Sequence, residues 1–248
     1  MILIKLGGSI ITNKSRKTSP RKKAIDAIAK TLAGIREPII LVHGGGSYGH
    51  YWSVKYDMHT KPEKYDIAGV AKVKNSMVEL DKIILDALEK NANHPYCVQP
   101  ACFMNTDKPM RNKIKEIGEI SKTGMIPVTY GDALWYGKKT YILSGDSIMG
   151  HVAKVLRPRL CIFAMDVDGL LNSPNGELIR EYSQQAPSIP DSDKDVTGGM
   201  VRKVKEAKRI SQYGIRVFFV NGNKPDRITK AIKDSKFHGT IFRGKRRV

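Results

Sequence analysis

With 248 residues, the chain is long enough to bury a sizeable core in one large α/β domain or two short lobes, which excludes a peptide-sized scaffold. Its 43 Lys and Arg against 24 Asp and Glu leave a net charge of +19, a surplus that attracts phosphates, nucleic acid or anionic membranes without choosing among them. A hydrophobic fraction of 41% beside 27% charged residues excludes wholesale disorder, and no run approaches the roughly 20 apolar residues of a membrane span.

The chain opens on ILIKL (2–6), a strand-like run followed by Gly-Gly and not by a signal-peptide cleavage pattern, so a cytoplasmic protein is expected. Further strands are expected at 39–43 (IILVH), 96–99 (YCVQ), 126–130 (IPVTY), 140–143 (TYIL), 160–165 (LCIFAM) and 215–220 (IRVFFV). Most are continuously apolar, as strands covered on both faces should be. Between them, Ile25, Ile28, Leu32 and Ile35, then Val70, Val73, Met77, Leu80, Ile84 and Ala87, recur at helical spacings of three and four. Strands alternating with helices predict a mostly parallel sheet sandwiched by helices. Polar stretches at 56–66, 105–113 and 183–197 read as loops or a hairpin. The basic runs at 14–23 and 243–247 read as solvated charge, with nucleic-acid contact the alternative. Cys97, Cys102 and Cys161 are odd in number and lack CxxC spacing, so they are expected to be reduced core thiols and not disulfides or zinc ligands.

Three glycine-rich junctions adjoin strands or helices. In KLGGS (5–9), Lys5 ends a strand and Gly7 and Gly8 let the backbone turn closely around an anion, with Lys14 a few residues on. In HGGGSYGH (43–50), Gly44, Gly46 and Gly49 satisfy G-x-G-x-x-G directly after a strand. A dinucleotide fold would need a second strand ending in an acidic residue about 20 residues on. The segment 51–68 reads as loop, so that fold is not expected. What survives is a cradle of backbone N–H groups, to which Gly45 also contributes, at a helix start suited to phosphate. His50 closes the loop, where its imidazole can donate to a phosphate oxygen. The third junction, TGGM (197–200), brings Gly198 and Gly199 to a helix start, with Lys203 one turn inside and Lys205 as the competing cation.

Two acidic segments complete the set. Asp146 of LSGDS follows a strand and opens a helix over 146–157, where it would cap N–H groups or orient lysines. The DVDG segment (166–169) follows another strand, and Asp166 and Asp168 would hold a metal or nucleotide there, or form a plain tight turn. No GxxxxGK[ST], HRD, DFG or zincin motif is present, which excludes P-loop and protein-kinase mechanisms. Phosphoryl transfer remains open, because lysines and loop amides can position the moving group and neutralise its charge without covalent help. No general base stands beside the loops, so the expected acceptor is already ionised at neutral pH, such as a carboxylate or a phosphate monoester with its second pKa near ~6.

Taken in order, KLGGSIITNK (5–14), HGGGSYGH (43–50), LSGD (143–146), DVDG (166–169), TGGMVRK (197–203) and GTIF (239–242) resemble the amino acid kinase family over essentially the whole chain. The likeness is greatest to its archaeal branch that acts on isopentenyl phosphate. It implies an open αβα sandwich, a homodimer, an acceptor-binding and dimerisation lobe over 1–158 and a nucleotide-binding lobe over 159–248. It further implies transfer of the ATP γ-phosphate to isopentenyl phosphate, with Mg²⁺. By resemblance, Lys5 and Lys14 stabilise the moving phosphoryl group, His50 binds the acceptor phosphate and Asp146 holds the lysines. Lys203 contacts ATP with Lys5, Gly7, Gly8, Gly45, Asp166, Asp168, Gly169, Gly198 and Gly199, while Gly44, Gly45, Gly49, Val73 and Gly145 adjoin the acceptor. Tyr48 stands where family members often carry Phe. Phosphonate acceptors such as fosfomycin are the rival within the family, and a basic nucleic-acid-binding protein is the reading from another class.

Overall fold

The computed structural model describes residues 1–58, 66–105, 108–136, 139–173, 176–182, 199–233 and 237–244. Its central sheet contains seven strands in the order β11-β10-β9-β1-β2-β6-β3. These are β1 (Ile2–Leu6), β2 (Ile39–His43), β3 (Pro95–Cys97), β6 (Ile126–Tyr130), β9 (Leu160–Met165), β10 (Arg216–Asn221) and β11 (Gly239–Phe242). Every pairing is parallel except β10 with β11. The continuous apolar runs of β1, β2, β6 and β9 are buried along their whole lengths, as covered parallel strands require.

Helices cover both faces, and the alternation of side chains along β1 sorts them. Ile2, Ile4 and Leu6 join a core with α2 (Lys22–Ala33), α3 (Gly46–Lys55), α4 (Ile67–Lys90) and α8 (Asp226–Ile232). Leu3 joins a second core with α5 (Arg111–Lys122), α6 (Gly145–Leu156) and α7 (Gly199–Ser211). Lys5 shares the parity of Leu3, so its side chain leaves β1 on the α6 and α7 face. The architecture is the open αβα sandwich expected. No described helix is long and apolar enough to cross a membrane.

Strand β1 pairs with β2 on one side and β9 on the other. The chain runs outward from β1 through β2 and β6, then restarts at β9 and runs the other way. The C-terminal ends of β1 and β9 therefore flank a point where strand order reverses, the place where open α/β sheets hold ligands.

Four local expectations change. Residues 51–55 are helical, since α3 runs to Lys55 and turns Tyr48 and Trp52, one turn apart, into the core; α4 starts at Ile67, capped by Asp66 accepting from Gly69 N at 2.8 Å. The 140–143 strand lies outside the main sheet: β8 (Lys139–Leu143) pairs antiparallel with β7 (Asp132–Tyr136) as a separate ribbon. The 96–99 run shortens to the edge strand β3. Of the three cysteines only Cys161 is buried, whereas Cys97 and Cys102 are exposed, because that sheet edge and the short helical turn at Pro100–Cys102 after it face outward. The 105–113 stretch divides into a hairpin of β4 (Met104–Asn105) and β5 (Lys108–Pro109) and the start of α5. The expected loop at 183–197 and Gly198 lie outside the described residues.

Candidate active site

The first two glycine loops close on each other at the C-terminal edge of the sheet. Gly7 N donates to Ala164 O at 2.8 Å and Gly44 N donates to Leu6 O at 2.9 Å, so each loop is bonded to the end of the neighbouring strand. Gly8, which opens the short helix α1 (Gly8–Ile11), and Gly46 stand back to back, and a Cβ on Gly8 would collide with the Gly46 backbone. Gly46 also has φ +48°, and a Cβ there would strike the Thr12 hydroxyl. That hydroxyl donates to Gly8 O at 2.7 Å and accepts from Ser47 N at 2.9 Å, tying α1 to α3. Gly145 packs onto the same junction: a Cβ there would lie 3.1 Å from both His43 O and Lys5 Cε. Glycine at these positions is thus a demand of backbone-on-backbone contact.

On the α6 and α7 side, Lys5 is only 4% exposed and its Nζ lies 2.8 Å from Asp146 Oδ1. Lys203 Nζ approaches Asp146 Oδ2 at 3.9 Å and donates to Gly199 O at 2.9 Å. One buried carboxylate thus bridges two ammoniums, one from a strand and one from a helix. Burial pushes Asp146 up, but Lys5 and Lys203 hold it below the usual carboxylate range. Ser144 caps α6, accepting from Ser147 N at 3.1 Å, which leaves Asp146 to orient lysines and not to cap. Lys205 points to solvent; Lys203 is the lysine of that pair in contact with Asp146.

On the α3 side, an open cavity of about 400 Å³ is lined by Lys14, Gly46, Ser47, His50, Tyr51, Val54 and Lys55. Lys14 and His50 therefore share one site. Lys14 comes from the loop after α1, and His50 lies one helical turn beyond Gly46. The Met77 thioether backs the loop, 3.1 and 3.2 Å from where Cβ atoms on Gly45 and Gly49 would stand. Val73 lies one turn earlier on α4, 4% exposed in the core and outside the residues lining this cavity. Ser76 Oγ donates to Tyr48 O at 2.6 Å, locking α3 onto α4.

After β9, Asp166 is exposed, whereas Asp168 is committed to its own surroundings. It accepts from Asn221 Nδ2 at 2.7 Å and pairs with Arg227 Nη1 at 2.7 Å and His238 Nε2 at 3.0 Å. The Asn221 hydrogen bond and the Arg227 guanidinium hold its carboxyl below the usual range. Gly169 packs against Thr240, whose hydroxyl accepts from Leu170 N at 2.8 Å and donates to Ile179 O at 2.6 Å. Asp168 thus organises this loop, and Asn221, Arg227 and His238 escape sequence reading because they lie 53 or more positions away. The Asn-Gly pair ending β10 was the one visible signal. His43 was likewise missed: its buried ring lies 3.2 Å from Asp81 Oδ1 by Nε2 and 3.2 Å from Gly44 O by Nδ1. Cys97 Sγ donates to the other Asp81 oxygen at 3.2 Å, and desolvation of the sulfur, though the residue as a whole is exposed, followed by the Asp81 charge pushes that thiol up to about 12.

Two outcomes test this geometry. Asp146→Asn strands a buried ammonium and should lower unfolding free energy by about 3 kcal/mol in urea titrations at neutral pH. Because the folded pKa of Asp146 lies below its unfolded value near 3.8, the carboxylate's contribution is complete above that value and lost as pH falls through the folded one, so wild type and variant should converge in strong acid. Gly46→Ala should cost about 2 kcal/mol or more. It should exceed Gly124→Ala, where φ is also positive but nothing lies within 4 Å of the added Cβ; equal losses would refute the steric account.

Comparison with known proteins agrees with this arrangement. The model of the amino acid kinase family matches residues 1–221. Isopentenyl phosphate kinase of Thermoplasma acidophilum is 33% identical, the match covering 98% of this chain and 100% of that protein. The enzyme of the same name from Methanocaldococcus jannaschii is 31% identical over 94% of this chain and 95% of its own length. The crystal structure of the T. acidophilum isopentenyl phosphate kinase product complex superposes with a TM-score of 0.82 at 29% identity, covering 98% of this chain and 100% of that one. A cradle of abutting glycine loops at a strand-order reversal, a buried carboxylate bridging two lysines and a likeness spanning nearly the whole chain lead to one conclusion: this protein belongs to the amino acid kinase family.

Proposed function

We propose that the chain transfers the γ-phosphate of ATP to isopentenyl phosphate, giving isopentenyl diphosphate and ADP. The observation that carries this reading is the placement of two cationic sites on either side of one glycine junction: Lys5 and Lys203 around Asp146, and Lys14 with His50 in the α3 cavity. Two anions brought to that junction from opposite sides meet with their charge balanced. The relatives named isopentenyl phosphate kinase support the same acceptor.

In this reading the ATP phosphates lie along the amides of Gly8 and Gly45 and the start of α7 at Gly199, with Lys203 reaching over them, while Gly7, whose N–H is donated to Ala164 O, holds the loop against β9. The 166–169 segment borders the nucleotide through Asp166 and Gly169, while Asp168 holds that loop in shape. Gly44, Gly45, Gly49 and Gly145 supply the acceptor side, and His50 donates to the acceptor phosphate. Val73 contributes from behind by supporting Met77. An acceptor phosphate oxygen attacks the γ-phosphorus, the bond to the β-oxygen breaks and ADP leaves. No proton need be removed from a dianionic acceptor, consistent with the absence of a general base beside the loops. Lys5 and Lys14 face the charge that spreads over the transferring group. Asp146 fixes Lys5 in place and faces Lys203 with its other oxygen.

Mg²⁺ would enter on the ATP phosphates and supply charge neutralisation there, beside Lys5 and Lys203. Among the described residues no group of three or more His, Cys, Asp or Glu forms a cage for it, and Asp146 is occupied by lysines. Residues 1–158 would form the acceptor and dimerisation lobe and 159–248 the nucleotide lobe of a homodimer, joined by the β1–β9 pairing inside one sheet.

Purified protein with ATP, Mg²⁺ and isopentenyl phosphate should release ADP stoichiometrically with isopentenyl diphosphate; turnover with fosfomycin or a carboxylate acceptor but with no alkyl phosphate would reject the reading. His50→Ala should raise the acceptor KM by about tenfold or more while shifting the ATP KM by less than about twofold, since only the acceptor touches it. Lys14→Ala should lower kcat by roughly 100-fold, the scale of a lost transition-state charge contact of about 3 kcal/mol. Retained kcat would remove Lys14 from that role.

A further inference from the structure

Next to the acceptor cavity, three lysines from three separate segments converge on one indole. Trp52 of α3 is 3% exposed. Lys17, from the loop before α2, places its Nζ 4.6 Å from the ring centroid, Lys72 of α4 lies at 5.0 Å and Lys55 of α3 at 5.4 Å. None of the three pairs with a carboxylate among the described residues. Some exposed lysines on the helices do find a carboxylate, as Lys82 pairs with Asp86 and Lys113 with Glu116 on their own helices.

The ring cannot account for this grouping. An indole attracts cations to its two faces and repels them at its edge, and three neighbouring ammoniums repel one another. The indole Nε1 adds a further donor, buried and without a hydrogen-bond partner among the described residues. The group therefore holds donors and positive charge from four side chains with no acceptor to match. Lys55 also lines the cavity that contains Lys14 and His50, so the two places share a wall.

We propose that Lys17, Lys55, Lys72 and Trp52 Nε1 form a second anion site at the side of the acceptor cavity, which takes a phosphate dianion. It holds an incoming phosphate ester before that ester passes to His50. The identity of the ester rests on the function proposed above; the site itself does not. Lysines from a loop and two helices would be drawn together when the anion binds, and the loop between α1 and α2 carries Lys14 on the same stretch of chain as Lys17.

The chain contains two tryptophans and ten tyrosines, and the other tryptophan, Trp135, is 70% exposed, so Trp135→Phe with excitation at the red edge, where tyrosine does not absorb, leaves Trp52 as the emitter. In that background, inorganic phosphate added at constant ionic strength should change Trp52 emission saturably. The combined Lys17→Gln, Lys55→Gln and Lys72→Gln substitution should weaken the midpoint at least tenfold, and Lys72→Gln alone should weaken it in the same direction. His50→Ala should retain the response. Absence of a saturable change overturns the proposal, as does a response that survives the triple substitution. Loss of the response in His50→Ala also overturns it, because phosphate would then be acting from the glycine cradle. No ATP or turnover enters this measurement, so failure of the enzyme to use isopentenyl phosphate would count against the proposed function alone.

Discussion

A buried ammonium is tolerated only with a counter-charge at contact distance, and in this protein that condition couples the two halves of the chain. Lys5 sits in the middle of the sheet, and Asp146, 2.8 Å away, supplies the counter-charge that its burial demands. Asp146 in turn is held by α6, which Ser144 caps, and its second oxygen faces Lys203 on α7. A strand from the beginning of the chain, a helix from its middle and a helix from its last quarter are thereby joined at one carboxylate. The arrangement is costly as a way to gain stability and useful as a way to hold two cations at fixed positions before any anion arrives.

The glycine loops depend on the same register. Gly7 and Gly44 each bond to the end of an adjacent strand, so the spacing of the loops is the spacing of neighbouring parallel strands. At that separation the loop backbones touch, and side chains at Gly8 or Gly46 would force them apart. In the proposed function, the amides of Gly8 and Gly45 at this junction are the ones that meet the phosphates, since those of Gly7 and Gly44 are bonded to the strand ends. Because Lys5 leaves β1 on one face while α3 and the cavity of Lys14 and His50 lie on the other, the junction has two distinct approaches. That division is what a transfer between two phosphorylated molecules requires.

Much of this was legible from the residue order. The apolar runs identified the covered parallel strands, the helical spacings along Ile25 to Ile35 and Val70 to Ala87 identified the inward faces of α2 and α4, and each glycine loop was legible as a close backbone turn after a strand or at a helix start. Two segments were misread for identifiable reasons. In α3 the apolar residues repeat too irregularly to declare a helix, and it is held by contacts from distant segments: Tyr48 and Trp52 in the core, Thr12 on Ser47 N and Ser76 on Tyr48 O. In β8, an apolar run has the same local character whether it joins the main sheet or a hairpin, and its partner β7 decides the outcome.

The sequence by itself determined the αβα class, the family and the chemical type of the site, because periodicity and glycine placement are local properties carried by neighbouring residues. Only the tertiary structure decided which groups meet. It assigned Asp146 to the lysines and not to a cap, brought Lys203 and not Lys205 to that carboxylate, committed Asp168 to Asn221, Arg227 and His238, and grouped Lys17, Lys55 and Lys72 around Trp52. Each of those pairings joins segments far apart in the chain. Charge and burial at such contacts arise only when strand order and helix packing bring the segments together, and no local pattern encodes them.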